Sequence, residues 1–312
     1  MISFRDWMSE RVREYYRSDF RKDFFTAPEL DRVFGYSLAY HIGELLKDYE
    51  DPCLIELGGG SGALAYDILT YLREKEPKIY RRLRYYIYDF SPELVELQRK
   101  RLRVFEDKVF WTDRLLEVRG LILSNEFFDC LPVHVVKEGK ELFLEGGKEV
   151  WKELSNPSIE EFLRRMGYQG LTQVVEVCLD CLDFLKGVAE KLKEGYHLVV
   201  DYGYTSRDIA RFPEGTVVGY RSHRVYTKPS EGMDITAQVN FSLLEEYGKD
   251  FGLFSLYIKK LGDFLLSTPI FTEELHRLAL SEAPEDIERL SRLKTLLLSM
   301  GETFKVLLQR KL

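Results

Sequence analysis

Residues 53 to 69 read CLIELGGGSGALAYDIL: a short apolar run, a glycine cluster, then apolar residues at helical spacing. A glycine-rich turn between a strand and a helix lets the backbone approach a bound molecule closely, at the carboxyl edge of a sheet. The flanking residues decide which molecule that is. A nucleoside triphosphate is excluded, because no Gly-Lys-Ser/Thr follows the glycines. A dinucleotide fits in outline: Gly58, Gly60 and Ala63 satisfy G-x-G-x-x-G/A, and Asp89 closes the next apolar run, where a ribose-binding acid belongs.

Charge separates the remaining possibilities. Glu56 stands two residues before Gly58, so its carboxylate is expected near the loop, where a pyrophosphate would be repelled. S-adenosyl-L-methionine instead brings an ammonium, a sulfonium and a single ribose. The segment SNEFFD (124–129) adds Glu126 and Asp129, beside Asn125, at the same edge. Opposed carboxylates in a partly desolvated cleft attract a cation by on the order of several kcal/mol before desolvation is subtracted. Glu56, Gly58, Gly60 and Gly62 form E-x-G-x-G-x-G, and with an acid ending the next strand this is the signature of class I methyltransferases. In that reading Gly58, Gly59, Gly60 and Gly62 wrap the methionine part and Asp89 takes the ribose hydroxyls. Phe90 and Asn125 line the cofactor. Trp111 and Asp113 stand where adenine lies, with Trp111 as plain core an equal alternative.

A chain of 312 residues can bury a sizeable core, and 45% hydrophobic with 31% charged residues describes a folded globular protein rather than a disordered one. The net charge of −7 gives no global attraction to nucleic acid or to an anionic membrane, so neither is an expected partner. Basic runs such as YRRLRYY (80–86) and QRKRLR (98–103) read as solvated helix faces. No apolar stretch approaches the roughly 18 residues of a membrane span. The opening MISFRDWMSERVREYY carries Asp6, Glu10 and Glu14, which fits neither a secretory signal nor a transit peptide. Cytoplasm is therefore the expected location. Cys178 and Cys181 form a lone C-x-x-C without a second pair for zinc, and read as small residues on a helix.

Five buried-strand candidates follow one another: CLIEL (53–57), RYYIYD (84–89), KVFWT (108–112), GLILSN (120–125) and YHLVVDYG (196–203). Helical patterns at 63–76, 92–104 and 178–193 fall among them, which predicts an α/β, Rossmann-like sheet, mostly parallel, with helices on both faces. A helix is predicted over 28–46, and FSLYIKKLG and TFKVLLQRKL supply two final strands. The layout is one domain over 1–312: a helical segment (1–50), a cofactor-binding half (51–133), an insertion (134–175), a fifth-strand unit (176–203), a second insertion on the substrate side (204–240) and a completion of the sheet (241–312). Neither insertion looks able to bury a core of its own.

Seven segments together resemble one family. DFFTAPELDRVFG (23–35), LIELGGGSGALAYDIL (54–69), YDFSPELVELQ (88–98), SNEFFDCLPVHVV (124–136), VVDYGY (199–204), DITAQVNF (234–241) and MGETFKVL (300–307) are similar, in order, to the MidA family of methyltransferases. The resemblance implies a class I fold with a seven-stranded sheet and a reversed last strand, and S-adenosyl-L-methionine as donor. It also implies a protein arginine as acceptor, on a respiratory complex I subunit, since the family's mitochondrial members are assembly factors of that complex. Two departures stand out. Lys22 replaces the family's usual Gly before Asp-Phe, and Gly58-Gly59-Gly60-Ser61-Gly62 replaces its frequent Gly-Pro-Gly-Arg-Gly, without the loop arginine.

Arginine is a poor nucleophile that stays protonated in water, so an enzyme using it needs carboxylates to pin the guanidinium. Glu126 is expected to orient the acceptor, with Asp129 in support; capping of a helix is the alternative role for this stretch. His223 is a candidate base or substrate contact. Asp201 and Tyr202, ending the fifth strand, are expected to line the site, and the resemblance adds Asp234 and Thr236 on the substrate side. Thr26 and Glu29 are placed to close over the cofactor. Three other functions stay open: methylation of RNA or a small molecule, an NAD-dependent oxidoreductase, and a non-catalytic assembly module.

Overall fold

The computed structural model describes residues 1–17, 26–222 and 224–312. Its described residues fall into two compact units. The larger draws on Phe25–Phe127, Gly187–Tyr202 and Gly248–Leu312. Its sheet comprises β1 (Cys53–Leu57), β2 (Arg84–Tyr88), β3 (Val109–Thr112), β4 (Val118–Asn125), β5 (Leu192–Tyr204), β6 (Phe254–Lys260) and β7 (Phe304–Lys311). They lie in the order β3-β2-β1-β4-β5-β7-β6. The strands from β3 to β5 pair in parallel, while β7 runs antiparallel to both β5 and β6. All five residues of β1 are buried, Glu56 included, which is why the strand does not alternate between apolar and exposed polar residues.

Three helices matter for the site, α1 (Val33–Leu46), α2 (Ala63–Lys75) and α3 (Pro92–Arg101), and a further helix, α4, spans Leu179–Lys191. Phe34, Leu38, Ile42 and Leu46 of α1 share one buried cluster with Ile68, Leu69 and Leu72 of α2 and with Leu54, Tyr85 and Leu121 of the sheet. Burying each of these side chains contributes about 1.5–3 kcal/mol, so the glycine loop between β1 and α2 is anchored at both ends. The single helix predicted over 28–46 is two, Ala27–Leu30 and α1. Between them Asp31 is extended, at φ −157°, and its carboxylate accepts the Val33 N–H at 3.0 Å. Arg289 holds the same carboxylate with two bonds of 2.9 and 3.1 Å. A side chain that competes for backbone donors, fixed by a remote cation, ends the first helix.

The second unit draws on Met1–Phe24, Phe128–Lys186 and Gly203–Tyr247. Strands His134–Lys137, Lys140–Glu145 and Lys148–Lys152 form an antiparallel meander, joined by Ile2–Ser3 and Val174–Val177. Val218–Arg221 pairs with both Arg224–Tyr226 and Asp234–Thr236. The segments 134–175 and 204–240 were each expected to lack a core. Pooled with the opening helix Phe4–Tyr15 they bury Met8, Phe162 and Ile235 completely, so the two segments share one core. Cys178 and Cys181 are a disulfide, not merely small helix residues: Cys178 precedes α4, and Cys181 in its first turn directs its N–H at the Cys178 sulfur, 3.2 Å away. No described helix is long and apolar enough to cross a membrane.

Candidate active site

The glycine loop leaves β1 by a hydrogen bond from Gly58 N–H to the Tyr88 carbonyl (2.9 Å) and closes with Gly62 N–H on the Gly59 carbonyl (2.8 Å). Gly58 and Gly60 have φ of 67° and 50°, in the left-handed region where a side chain is strained. The two positions differ in their surroundings. A Cβ on Gly58 would sit 3.0 Å from the Phe127 ring, whereas one on Gly60 would meet nothing within 4 Å. The loop therefore presents open space over Gly60.

Asp89, at the end of β2, is buried beside this loop. Ser91 N–H donates to its Oδ1 at 3.0 Å and the Gln98 amide to its Oδ2 at 2.8 Å, and the N–H groups of Phe90 and Gly59 also face it. Burial raises its pKa and these donors oppose the rise. Gln98, on α3, is fully buried and went unnoticed as a site residue in the sequence. Besides Asp89 its amide nitrogen reaches the Gly60 carbonyl (3.0 Å), and its oxygen accepts the Trp111 indole N–H (2.9 Å). The Arg99 guanidinium lies over the Trp111 ring at 4.2 Å. Asp113 and Phe90 are exposed at the same carboxyl edge.

Glu56 departs from expectation. It is 2% exposed, and Tyr85 donates its hydroxyl to the carboxylate at 2.7 Å. Burial pushes its pKa up to about 7, with Asp89 adding to the rise. It is thus a partly protonated group inside the sheet's covered face rather than a full negative charge at the loop. The sign of its effect on stability follows. The folded chain holds this proton more tightly than the unfolded one, so the contribution is complete below about pH 4.5 and is lost as pH rises to about 7. The displacement corresponds to about 3 kcal/mol. Glu56→Gln keeps an acceptor for Tyr85 and removes the titration. Urea unfolding at pH 5 and pH 8 should show wild type losing about 2–3 kcal/mol more than the variant between the two, since a part is already lost at pH 5.

At the end of β4, Asn125 Nδ2 donates to Glu126 Oε1 (3.2 Å), and the Ala27 N–H donates to the same oxygen (3.2 Å). Glu126 itself has φ of 51°, a left-handed conformation rare outside glycine. The Asn125 amide oxygen is buried with no hydrogen-bond partner among the described residues. Thr26 precedes the short helix Ala27–Leu30, and Glu29 in that helix accepts the Ser61 hydroxyl of the glycine loop at 2.7 Å. The larger unit thus gathers Thr26, Gly58–Gly62, Asp89, Trp111, Asn125 and Glu126 along the carboxyl ends of β1 to β4.

Other expected site residues are placed differently. Asp201 does not end its strand, because β5 continues to Tyr204 through pairing of Gly203 and Tyr204 with Val239 and Asn240. Its fully buried carboxylate accepts the N–H groups of Phe127 (3.1 Å) and Tyr202 (3.0 Å), and the Tyr202 ring packs on Phe304. Asp129, Asp234 and Thr236 belong to the second unit and are buried there, with Ala237 N–H bonded to the Asp129 carbonyl (2.9 Å). His223 lies outside the described residues, as do Lys22 and the first three residues of DFFTAPE.

The strand order with its reversed β7, the left-handed glycine loop and the acid closing β2 define a class I methyltransferase fold. The chain belongs to the family described as "Putative S-adenosyl-L-methionine-dependent methyltransferase", whose model matches residues 38–258, in agreement with the MidA resemblance. It is similar to the protein arginine methyltransferase NDUFAF7, mitochondrial, of Danio rerio, 26% identical over 73% of this chain and 62% of that protein. The Mus musculus protein of the same name is 27% identical over 71% of this chain and 58% of its own length. The chain thus spans about three fifths of these relatives. A crystal structure of a superfamily member from Burkholderia thailandensis, bound to S-adenosyl-homocysteine, has a TM-score of 0.87 and 26% identity, covering 99% of this chain and 88% of that one.

Proposed function

We propose that this protein transfers a methyl group from S-adenosyl-L-methionine to an arginine side chain of a protein, with a respiratory complex subunit as the acceptor. The observation that carries the reading is the pairing of Asp89 and Glu126 with an open glycine cradle. Three features favour this cofactor: the space over Gly60, the buried Asn125 oxygen able to accept from an ammonium, and a carboxylate at Asp89 able to hold a ribose diol. The name of the NDUFAF7 relatives supports arginine as the acceptor class. When bound, the cofactor supplies an electrophilic methyl on a sulfonium.

The chain's own residues then have alignment and charge to manage. Asp89 and the Gly58–Gly62 backbone hold and orient, and Trp111 bounds the adenine side. Glu126, kept in one orientation by Ala27 and Asn125, pairs with the incoming guanidinium and stabilises its charge as the nitrogen is methylated. Incubating purified protein with methyl-labelled cofactor and host cell protein or RNA tests this. Label in methylarginine is the expected result, and label confined to RNA or small molecules would overturn the acceptor assignment.

The cradle has its own test. Gly60→Ala adds a methyl where the fold has room, so the backbone strain costs only about 1–2 kcal/mol. The same methyl intrudes on the cofactor's space and should weaken S-adenosyl-homocysteine binding by about 10- to 100-fold in calorimetry, the size of an overpacking penalty.

A further inference from the structure

The Gln98 side chain bonds to three segments at once, and its chemistry allows only one orientation. An indole N–H is a donor only, so the atom facing Trp111 is the amide oxygen. A carboxylate and a carbonyl are acceptors, so the atom facing Asp89 and Gly60 is the amide nitrogen, whose two hydrogens match the two acceptors. No other side-chain type offers one acceptor and a two-hydrogen donor at that reach. Steric contact adds to the bonding. A Cβ on Gly59 would lie 3.0 Å from the Gln98 nitrogen, and one on Gly62 would lie 3.3 Å from the Gln98 Cα. The loop therefore packs directly on this residue. The helix that carries Gln98 is itself fixed, since Ser91 caps it through Leu94 N–H (3.3 Å) while its own N–H holds the other Asp89 oxygen.

We propose that Gln98 is a positioning residue for the cofactor, its amide locking the Gly60 carbonyl, the Asp89 carboxylate and the Trp111 indole into one preformed surface. This rests on the cofactor reading above and adds a residue that does not itself touch the cofactor. Preformed groups bind without a cost of ordering, so losing the lock lowers affinity while leaving the transfer step alone.

Gln98→Met conserves volume and removes all three bonds. Gln98→Glu keeps an acceptor for Trp111 but turns oxygen toward Asp89 and Gly60. Dissociation constants for S-adenosyl-homocysteine and KM for the methyl donor should rise by about 10- to 100-fold in both, the range known for partners that orient ligand-holding groups. The maximal rate should stay within about threefold, because binding rather than the transition state is weakened. An NMR readout needs no ligand: the Trp111 indole N–H resonance, assigned with Trp111→Phe, should shift in Gln98→Met and persist in Gln98→Glu. In the wild type the Gln98 side-chain amide should appear as a protected pair. Wild-type affinity in Gln98→Met, a fall in maximal rate with KM unchanged, or an unprotected Gln98 amide overturns the inference alone. A wild-type protein that fails to bind S-adenosyl-homocysteine overturns the cofactor reading along with it.

Discussion

Glu126→Gln should lower turnover by on the order of 100- to 1,000-fold while leaving affinity for S-adenosyl-homocysteine within about threefold, the loss typical when one charge-stabilising group is removed from a site. The substitution is close to isosteric. Gln keeps an oxygen for the Ala27 N–H and the Asn125 amide, and it meets the same left-handed backbone strain at φ 51° that Glu126 bears. Melting temperature should therefore hardly move. In the proposed reaction what disappears is the charge opposite the acceptor guanidinium, and a charged partner is worth roughly twice a neutral one in such a bond. Strain at a non-glycine residue costs about 1–3 kcal/mol and persists where the surroundings over-determine it, as β4, Ala27 and Val200 do here. Single-turnover rates with saturating cofactor check the prediction, and a variant with full turnover would remove Glu126 from the mechanism.

Asp89→Asn should act on the other half of the site, weakening cofactor binding by on the order of 100-fold. Each hydrogen bond to a charged carboxylate contributes about 1.5–3 kcal/mol, and a ribose diol would use the charge twice. Asn keeps one oxygen for Ser91 or Gln98 and turns an N–H toward the other, which adds a repulsive contact. The pH dependence gives the sign. Burial raises the Asp89 pKa, so affinity that needs the carboxylate should fall on acidification earlier than for an exposed aspartate. That acid limb should vanish in the variant. Titration calorimetry between pH 5 and 8 reads both effects, and unchanged affinity with an unchanged limb would exclude Asp89 as the ribose acid.

Much of the sheet was legible because the central strands β1 and β4 are covered on both faces and read as largely apolar runs. CLIEL maps onto β1 residue for residue, and the other four expected strands onto β2 to β5 with ends shifted by a few positions. The break at Asp31 was not legible, since the Arg289 that fixes it lies 258 residues away. Glu56 misled for a related reason: its place before the glycines is a local fact, while its partner Tyr85 comes from the neighbouring strand. Gln98 was hidden because a glutamine on an otherwise charged helix looks like solvent-facing surface, and its partners at Gly60 and Trp111 stand 38 and 13 residues away. Asp201 carried the right position for a site residue, yet its carboxylate is fully buried against the Phe127 and Tyr202 N–H groups.

The insertion of β7 between β5 and β6 has a consequence for biosynthesis. On the ribosome β6 emerges before the strand that joins it to the sheet, with Phe254 and Leu256 still facing water in the finished fold. Until residues 304–311 leave the exit tunnel, β6 is an unpaired ribbon of open donors and acceptors, the kind of template on which nascent chains associate. A nascent chain that has exposed β6 but not yet residues 304–311 thus presents a defined segment for holdase chaperones to shield.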